Sequence, residues 1–225
     1  MTTPFLKTIL AVLRKDLLAE LRSREIIGAM ALYALLSVLV FSFALQLNLT
    51  VRREAVSGIL WVTVTFAVVL GFNRSSATER ESGSFDALLV APVSRGAIYL
   101  GKALSNYVFA LAVGLILLPV MTVLFNVRLT HPGAVLALVL GALGLSVTGT
   151  LLSMMTVQTR TRETLLPIVM LPVALPLLLA AVSATTRIIN NEPSAEWAGW
   201  LQLIGVIDTL YFALCYLLFD YVVEE

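Results

Sequence analysis

Cysteine and histidine are almost missing from this sequence of 225 residues, which contains one of each, Cys215 and His131. A single cysteine excludes an intramolecular disulfide. One histidine far from one cysteine cannot supply the three or four ligands of a typical zinc site. Nucleophilic catalysis needs a nucleophile held beside a base, and the sequence offers no such pair. We therefore predict a protein without a disulfide, a metal centre or catalytic residues.

Charged residues are also scarce, at 13% of the chain, where soluble domains have about 25%. The formal net charge is +1, and the basic residues form no stripe of the kind that binds nucleic acid. In contrast, 59% of the residues are hydrophobic and the mean hydropathy is +0.96. These values exclude a soluble globular domain and predict an integral membrane protein that contacts lipid and no nucleic acid.

The apolar residues cluster in runs of about 20, the length that a helix needs to cross the ~30 Å apolar layer of a bilayer. The polar–apolar alternation of outer-membrane β-barrel strands does not occur. We therefore predict an all-α membrane protein with six transmembrane helices. The predicted spans are Ile26–Gln46, Ala55–Asn73, Leu104–Asn126, Gly133–Val157, Thr164–Thr185 and Gly199–Asp220.

The basic residues predict the orientation, because cytoplasmic segments of membrane proteins are enriched in lysine and arginine. If the amino terminus is cytoplasmic, eleven of the 15 basic residues fall on the cytoplasmic side and four outside. Both termini are therefore expected in the cytoplasm. No short apolar core is followed by small residues, so no cleavable signal peptide is expected. The eleven are Lys7, Arg14, Lys15, Arg22, Arg24, Arg74, Arg80, Arg95, Lys102, Arg160 and Arg162, and the four are Arg52, Arg53, Arg128 and Arg187.

An amphipathic segment precedes the first span. Within residues 5–22, six apolar residues recur at helical spacing, and the basic side chains lie mostly off that face. Such a helix lies in the membrane interface with its basic side on anionic head groups. We therefore divide the chain into an interfacial helix, residues 1–25, and a six-helix transmembrane domain, residues 26–225. The predicted apolar face is Leu6, Ile9, Leu10, Leu13, Leu17 and Leu21.

The segment between the second and third predicted spans is unusually long, from Arg74 to Ala103. It begins with a charged stretch and is interrupted at Pro92, since the residue before a proline disfavours helix. Ser94 is suited to cap a second short helix. We predict two short amphipathic helices with a hinge between them. Their apolar residues need a cover, which is either the membrane surface or a soluble partner. Those residues are Phe85, Leu88, Leu89, Val90, Ile98, Tyr99 and Leu100.

Residues 96–103 of this segment read G-x-x-x-x-G-K-A, close to the nucleotide-binding P-loop G-x-x-x-x-G-K-[ST]. In a P-loop the final hydroxyl binds Mg²⁺, and Ala103 has no hydroxyl. No buried strand precedes the segment and no Walker B strand follows it. We therefore expect no ATP site here.

Small residues and prolines mark the fourth and fifth spans. Small residues at four-residue spacing allow close helix contact, so the fourth span has a packing face that serves either this chain or a dimer. Proline removes a helix N–H and can kink the helix, so the fifth span has either ordinary kinks or a gating hinge. The residues concerned are Ala142, Ser146 and Thr150, with Gly141, Gly144 and Gly149, and then Pro167, Pro172 and Pro176.

Asp208 is the one acidic residue deep inside a predicted span. Ionisable residues at membrane depth are candidates for function, so Asp208 is our intramembrane polar candidate. It either faces a cavity, pairs with an arginine, or is a protonated structural acid.

The segment Glu79–Lys102 resembles the region between spans two and three of ABC-2 type export permeases. Those proteins carry E-x-G-T-x-E-x-L-L-x-x-P-x-S-R-x-x-I-x-x-G-K, and here Ser84 and Asp86 replace the usual Thr and Glu. The resemblance implies a type V exporter-like fold with an amino-terminal elbow helix. It also implies that residues 74–103 form a coupling loop that docks on a separate ATPase subunit. The residues that it assigns to coupling are Glu79, Glu81, Gly83, Asp86, Leu88, Leu89, Pro92, Arg95 and Lys102.

Within that superfamily the sequence is most similar to the CcmB family of cytochrome c maturation systems. The matching motifs are L-R-K-D-L-x-x-E-x-R-S-R-E at Leu13–Glu25, G-x-L-W-V at Gly58–Val62, and the run Arg74–Pro92. Beyond about residue 110 the similarity is carried by hydropathy and proline placement.

The resemblance implies a non-catalytic permease subunit of the bacterial inner membrane, present in two copies. Its partners would be the ATPase CcmA and the haem-handling proteins CcmC and CcmD, with the haem chaperone CcmE as client. ATP and haem would be bound by partners and no cofactor by this chain. His131, in a short outside turn, is more typical of an exposed residue than of a haem ligand. Two other functions are compatible with the sequence, namely a permease that exports another small molecule or lipid, and a passive membrane scaffold.

Overall fold

The structure is a computed structural model that describes residues 5–45, 49–81, 93–156 and 162–222. Seven α-helices account for most of these residues. No strand occurs among those residues. Six of the helices are long and apolar enough to cross a membrane, which confirms the all-α fold and the number of spans. The helices are α1 (Phe5–Ser23), α2 (Glu25–Ala44), α3 (Leu49–Glu81), α4 (Arg95–Phe125), α5 (Pro132–Thr156), α6 (Arg162–Ile189) and α7 (Ser194–Val222).

The helices α3 and α5 form the centre of the bundle, and most of each is buried, whereas α2 and α7 expose most of their apolar surface. The interior contains hydrogen bonds between helices as well as apolar contacts. Trp61 Nε1 of α3 donates to Thr185 Oγ1 of α6 over 3.0 Å, and Asn106 Nδ2 of α4 donates to Thr150 Oγ1 of α5 over 2.9 Å. Such polar contacts between spans are favourable because lipid offers no alternative partner.

The small residues of α5 pack against large side chains of the same chain. A Cβ atom at Gly141 would lie 2.2 Å from the Trp61 ring, and one at Gly149 would lie 1.9 Å from the Phe72 ring. No real Cβ atom approaches another atom so closely. The sequence left open whether this face serves the chain or a dimer, and the structure uses it within the chain.

The three prolines of α6 lie within one continuous helix. Each proline lacks an N–H and frees a carbonyl one turn earlier. Beside two of these prolines, the Tyr211 hydroxyl of α7 donates to the Val173 carbonyl over 2.5 Å. This bond joins α7 to α6 between Pro172 and Pro176, at a carbonyl other than those that the prolines free.

The prediction of a separate short helix after Ser94 is wrong, and so is the prediction that the loop begins at Arg74. The first predicted short helix, around Phe85–Val90, lies outside the described residues. Residues 74–81 are the last turns of α3, and residues 95–103 are the first turns of α4. Ser94 occupies the N-cap position of α4, but its side chain makes no capping hydrogen bond. Each flank is long enough to continue its spanning helix and is held there by contacts with other helices. Gly83, Asp86, Leu88, Leu89 and Pro92 lie outside the described residues.

Candidate coupling site at the α1 end of the bundle

A buried ion cluster joins three helices where α1 meets the bundle. Lys102, in the second turn of α4, exposes only 4% of its side chain. Its Nζ lies 3.2 Å from Oδ2 of Asp16 on α1 and pairs with a carboxylate oxygen of Glu79 on α3. A lysine is enclosed in this way only when carboxylates compensate its charge. We call Asp16, Glu79 and Lys102 the Lys102 cluster.

The glycine before the lysine brings α1 close enough to complete the cluster. A Cβ atom at Gly101 would lie 2.7 Å from the Cβ of Val12 on α1, so only glycine permits this separation of the two helices. Residues 96–103 are helical throughout. Their N–H groups therefore lie within a helix and form no loop around a phosphate. In this sequence Gly-Lys is a packing glycine followed by the central charge of an ion cluster.

The end of α1 also organises the start of α2. Both carboxylate oxygens of Glu20 accept backbone N–H groups of the first turn of α2, from Ile26 over 3.2 Å and from Ile27 over 2.8 Å. These N–H groups have no partner within the helix, and the negative charge also suits a helix amino terminus. Arg24, at φ 54°, makes the sharp bend between the two helices.

Asp16 and Glu20 were not predicted as site residues, because the leucine-rich face of α1 dominates the sequence pattern. In the structure Leu6, Leu10 and Leu21 are exposed, and α1 packs on α4 through the next face round the helix. That face carries Thr8, Val12, Asp16 and Glu20. Two acids at four-residue spacing behind two small residues were the available signal.

A pocket of about 300 Å³ opens beside the cluster, between α1, the start of α2 and the end of α3. Arg74 closes one side through a 2.8 Å ion pair with Glu25 of α2. Carboxylate and hydroxyl side chains line the pocket together with the apolar side chains of Ala19, Ile26 and Phe109. Among its lining residues are Asp16, Glu20, Glu25, Ser75, Thr78 and Glu79.

The first turns of α4 are anchored on their other side by an aromatic contact. The Tyr99 hydroxyl donates to the Val147 carbonyl of α5 over 2.9 Å, and its ring centroid lies 5.0 Å from that of Phe219 on α7. Ile98 and Tyr99 are therefore covered by the protein itself. The prediction that they need the membrane surface or a partner as cover is wrong.

The structure brings together two of the residues that the resemblance assigns to coupling, Glu79 and Lys102. Arg95 begins α4 and is exposed. Glu81 is the last residue of α3, and its side chain is outside the description. The remaining coupling residues belong to the undescribed segment 82–92, which lies between Glu79 and Lys102 in the sequence. Asp208 is elsewhere, halfway along α7 and buried.

His131 lies at the opposite end of the bundle. Its Nδ1 accepts the backbone N–H of Gly133 over 3.1 Å, and its ring makes an edge contact with Trp197, with centroids 6.0 Å apart. In the neutral ring this leaves the proton on Nε2, so neither nitrogen presents a free lone pair. Within the described residues, no group of three or more His, Cys, Asp or Glu side chains is placed to hold a metal ion.

The chain matches the model of one protein family, described as CcmB protein, over residues 7–220. This match covers all seven helices except the first two residues of α1 and the last two of α7. It also contains every member of the Lys102 cluster.

Curated relatives match most of the chain under one name, heme exporter protein B. The protein of Rhodobacter capsulatus is 29% identical over 180 residues, which cover 79% of this chain and 82% of the relative. That of Bradyrhizobium diazoefficiens is 27% identical over 82% of this chain and 83% of the relative. That of Paracoccus denitrificans is 34% identical over 58% of this chain and 60% of the relative.

Proposed function

Because the chain belongs to the CcmB family, we propose that it is the membrane permease subunit of a haem exporter complex. The name shared by its relatives supports this assignment. The six spans supply the membrane domain, and we assign the catalytic step to a partner subunit. We propose that it lies in the bacterial inner membrane with both termini in the cytoplasm.

We further propose that the complex contains the ATPase CcmA and the haem-handling proteins CcmC and CcmD, with two copies of this chain. ATP hydrolysis by CcmA then drives release of the haem-loaded chaperone CcmE. Residues 82–92 are the docking segment for CcmA. In this mechanism ATP and haem are held by the partners, and this chain converts the movement of the ATPase into a movement of helices.

The Lys102 cluster is the observation that carries this mechanism. Glu79 and Lys102 clamp the two helices that lead into and out of the docking segment. Asp16 adds α1 to the same clamp. A displacement of residues 82–92 therefore moves the ends of α3 and α4 together and pulls α1 with them. Glu20 passes the movement on, since its carboxylate holds the first turn of α2.

Co-purification tests the docking segment directly. The chain is purified in detergent with the CcmA expressed beside it, as wild type and as a Glu81→Lys/Asp86→Lys variant. Glu54→Lys is the matched control, because Glu54 is exposed near the opposite end of α3. We expect wild type and the control to recover an active ATPase and the double variant to lose it. ATPase activity and the amount of CcmA are measured on the recovered material.

Cells that express the wild type, the control or the double variant separate the proposed function from its alternatives. If the double variant recovers CcmA as well as wild type does, the docking segment is wrongly assigned. If neither wild type nor either variant recovers CcmA, and cells with the double variant still make c-type cytochromes, the chain is a passive scaffold. If CcmA is recovered but cytochrome c assembly does not need the chain, it exports another molecule. Cytochrome content is measured in cells that lack the chromosomal copy.

A further inference from the structure

Asp208 is a buried acid that the proposed coupling mechanism does not use. It lies halfway along α7 and is 4% exposed. Both carboxylate oxygens are shielded from solvent, and neither has a hydrogen-bond partner among the described residues. The position is near the middle of a span, where neither water nor lipid head groups reach it.

The helices around Asp208 enclose it tightly and supply no cation. A Cβ atom at Gly144 of α5 would lie 2.3 Å from Oδ1 of Asp208 and 2.7 Å from Leu177 of α6. The described side chains of α5 include no titratable group, and residues 165–186 of α6 include none. The titratable groups that interact with Asp208 are Tyr107 of α4 and Tyr211 of α7. The Tyr211 hydroxyl donates its hydrogen to Val173.

An ionised carboxylate in such a place would be a buried charge without a partner. Such a charge is strongly unfavourable in an apolar interior, and a group in this position takes up a proton instead. The neutral acid fits the site much better, because its charge no longer has to be solvated. A neutral Asp208 is therefore compatible with the close contact to Gly144.

We propose that Asp208 is a proton-binding site that is filled while α5 and α7 are in contact and is emptied when they separate. Separation admits water, which stabilises the carboxylate, and the proton leaves to that water. The linkage is reciprocal, as thermodynamics requires. Low pH favours the contact between α5 and α7, and high pH favours its opening. This inference concerns the chain alone and requires neither an ATPase nor haem.

Infrared spectroscopy of the purified full chain tests whether the proton is present. The chain contains four aspartates, Asp16, Asp86, Asp208 and Asp220, so ¹³C-aspartate labelling identifies their carbonyl bands. At neutral pH we expect a protonated-acid band in wild type that is lost in Asp208→Asn. Asp220→Asn, at the end of the same helix, should retain the band. The absence of the band in wild type, or its persistence in Asp208→Asn, would overturn the proposal.

Modification by a hydrophobic carbodiimide tests the link to helix separation. The reagent adds to a protonated carboxyl group, and mass spectrometry locates the adduct. Gly144→Ala forces α5 away from Asp208 and admits water, which removes the proton, so at neutral pH we expect its Asp208 to react about tenfold more slowly than that of wild type. Gly58→Ala is the control, because a Cβ atom at Gly58 meets nothing within 4 Å.

Equal rates of modification in wild type, Gly144→Ala and Gly58→Ala would overturn the link between the proton and helix contact. The absence of any reaction in all three would overturn it as well. If Gly144→Ala does not fold, the infrared experiment still decides whether Asp208 is protonated. The wild-type rate is then measured from acid to alkaline pH. A reaction that does not slow as pH rises overturns the proton site, because only the protonated acid adds the reagent.

Discussion

Lys102 shows how one buried charge connects distant parts of the sequence. Its carboxylate partners come from 86 residues before it and from 23 residues before it, at Asp16 and Glu79. The partners are not equally enclosed, since Asp16 exposes 11% of its side chain and Glu79 exposes 15%. Lys15 supplies a second cation, with its Nζ 3.2 Å from Oδ1 of Asp16, so the two acids and two lysines balance. A charge-neutralising change at Asp16, Glu79 or Lys102 leaves this largely enclosed group with a net charge.

Lys102→Met should strongly destabilise the chain, because it leaves the carboxylates of Asp16 and Glu79 with only the exposed Lys15, 3.2 Å from Asp16 Oδ1, as a cation. Removing one partner of a buried ion pair costs about 3–5 kcal/mol, and we expect a value near the lower limit since both acids retain some exposure. The free energy of unfolding is measured by titration with denaturing detergent in mixed micelles.

The triple variant Asp16→Asn/Glu79→Gln/Lys102→Met is the matched control for this prediction. It removes all three charges, so it should recover most of the stability that Lys102→Met loses. It should nevertheless fail to support cytochrome c assembly if the cluster transmits movement. A Lys102→Met protein as stable as wild type would contradict the clamp.

Among the helices, glycine residues determine how closely α5 packs on α3 and α1 packs on α4. Gly141 and Gly149 each accept a ring from α3, and Gly101 lets α1 approach α4. In each case the partner is a large or branched side chain that a Cβ atom would displace. The glycines are therefore required by contacts between helices, because within a helix glycine is unfavourable by about 1 kcal/mol relative to alanine.

Gly149→Ala should destabilise the chain by about 1–3 kcal/mol, because the added methyl group overlaps the ring of Phe72 and overpacks the core. Gly58→Ala, which meets open space on α3, should be neutral or stabilising by up to about 1 kcal/mol, since alanine is the better helix former. Both values come from the same detergent unfolding experiment. An equal effect of the two substitutions would contradict the close contact between α5 and α3.

The orientation of the whole molecule in the membrane can be measured by cysteine labelling, because only one native cysteine has to be replaced first. Cys215 is buried, and Cys215→Ala provides a background without cysteine. In that background Lys7→Cys lies at the proposed cytoplasmic end and Arg128→Cys at the opposite end, in the turn after α4.

A membrane-impermeant maleimide should label Arg128→Cys in intact spheroplasts and Lys7→Cys only after the membrane is opened. The reason is the distribution of basic residues, since eleven of the 15 fall on the α1 side of the predicted topology. Labelling is followed by a shift in gel mobility. The opposite pattern would reverse the topology and would place the docking segment outside the cytoplasm.

The number of spans and the all-α fold follow from the sequence alone, and the resemblance assigned Glu79 and Lys102 to coupling without predicting that they pair. Hydropathy sums over neighbouring residues, so a run of about 20 apolar residues predicts a spanning helix without knowledge of its neighbours. Both residues could be named because they belong to one recognisable motif of 24 residues, whereas their ion pair depends on how α3 and α4 pack.

Which helix faces meet follows from the packing of the folded chain. The fusion of residues 74–81 with α3 and of 95–103 with α4, the role of Asp16 and Glu20, and the contact of Asp208 with Gly144 all depend on side chains from different helices. Periodicity identifies the faces of a helix but not the partner of each face. Those partners are fixed by shape and charge across helices that are far apart in the sequence, as Lys102 and Asp16 are.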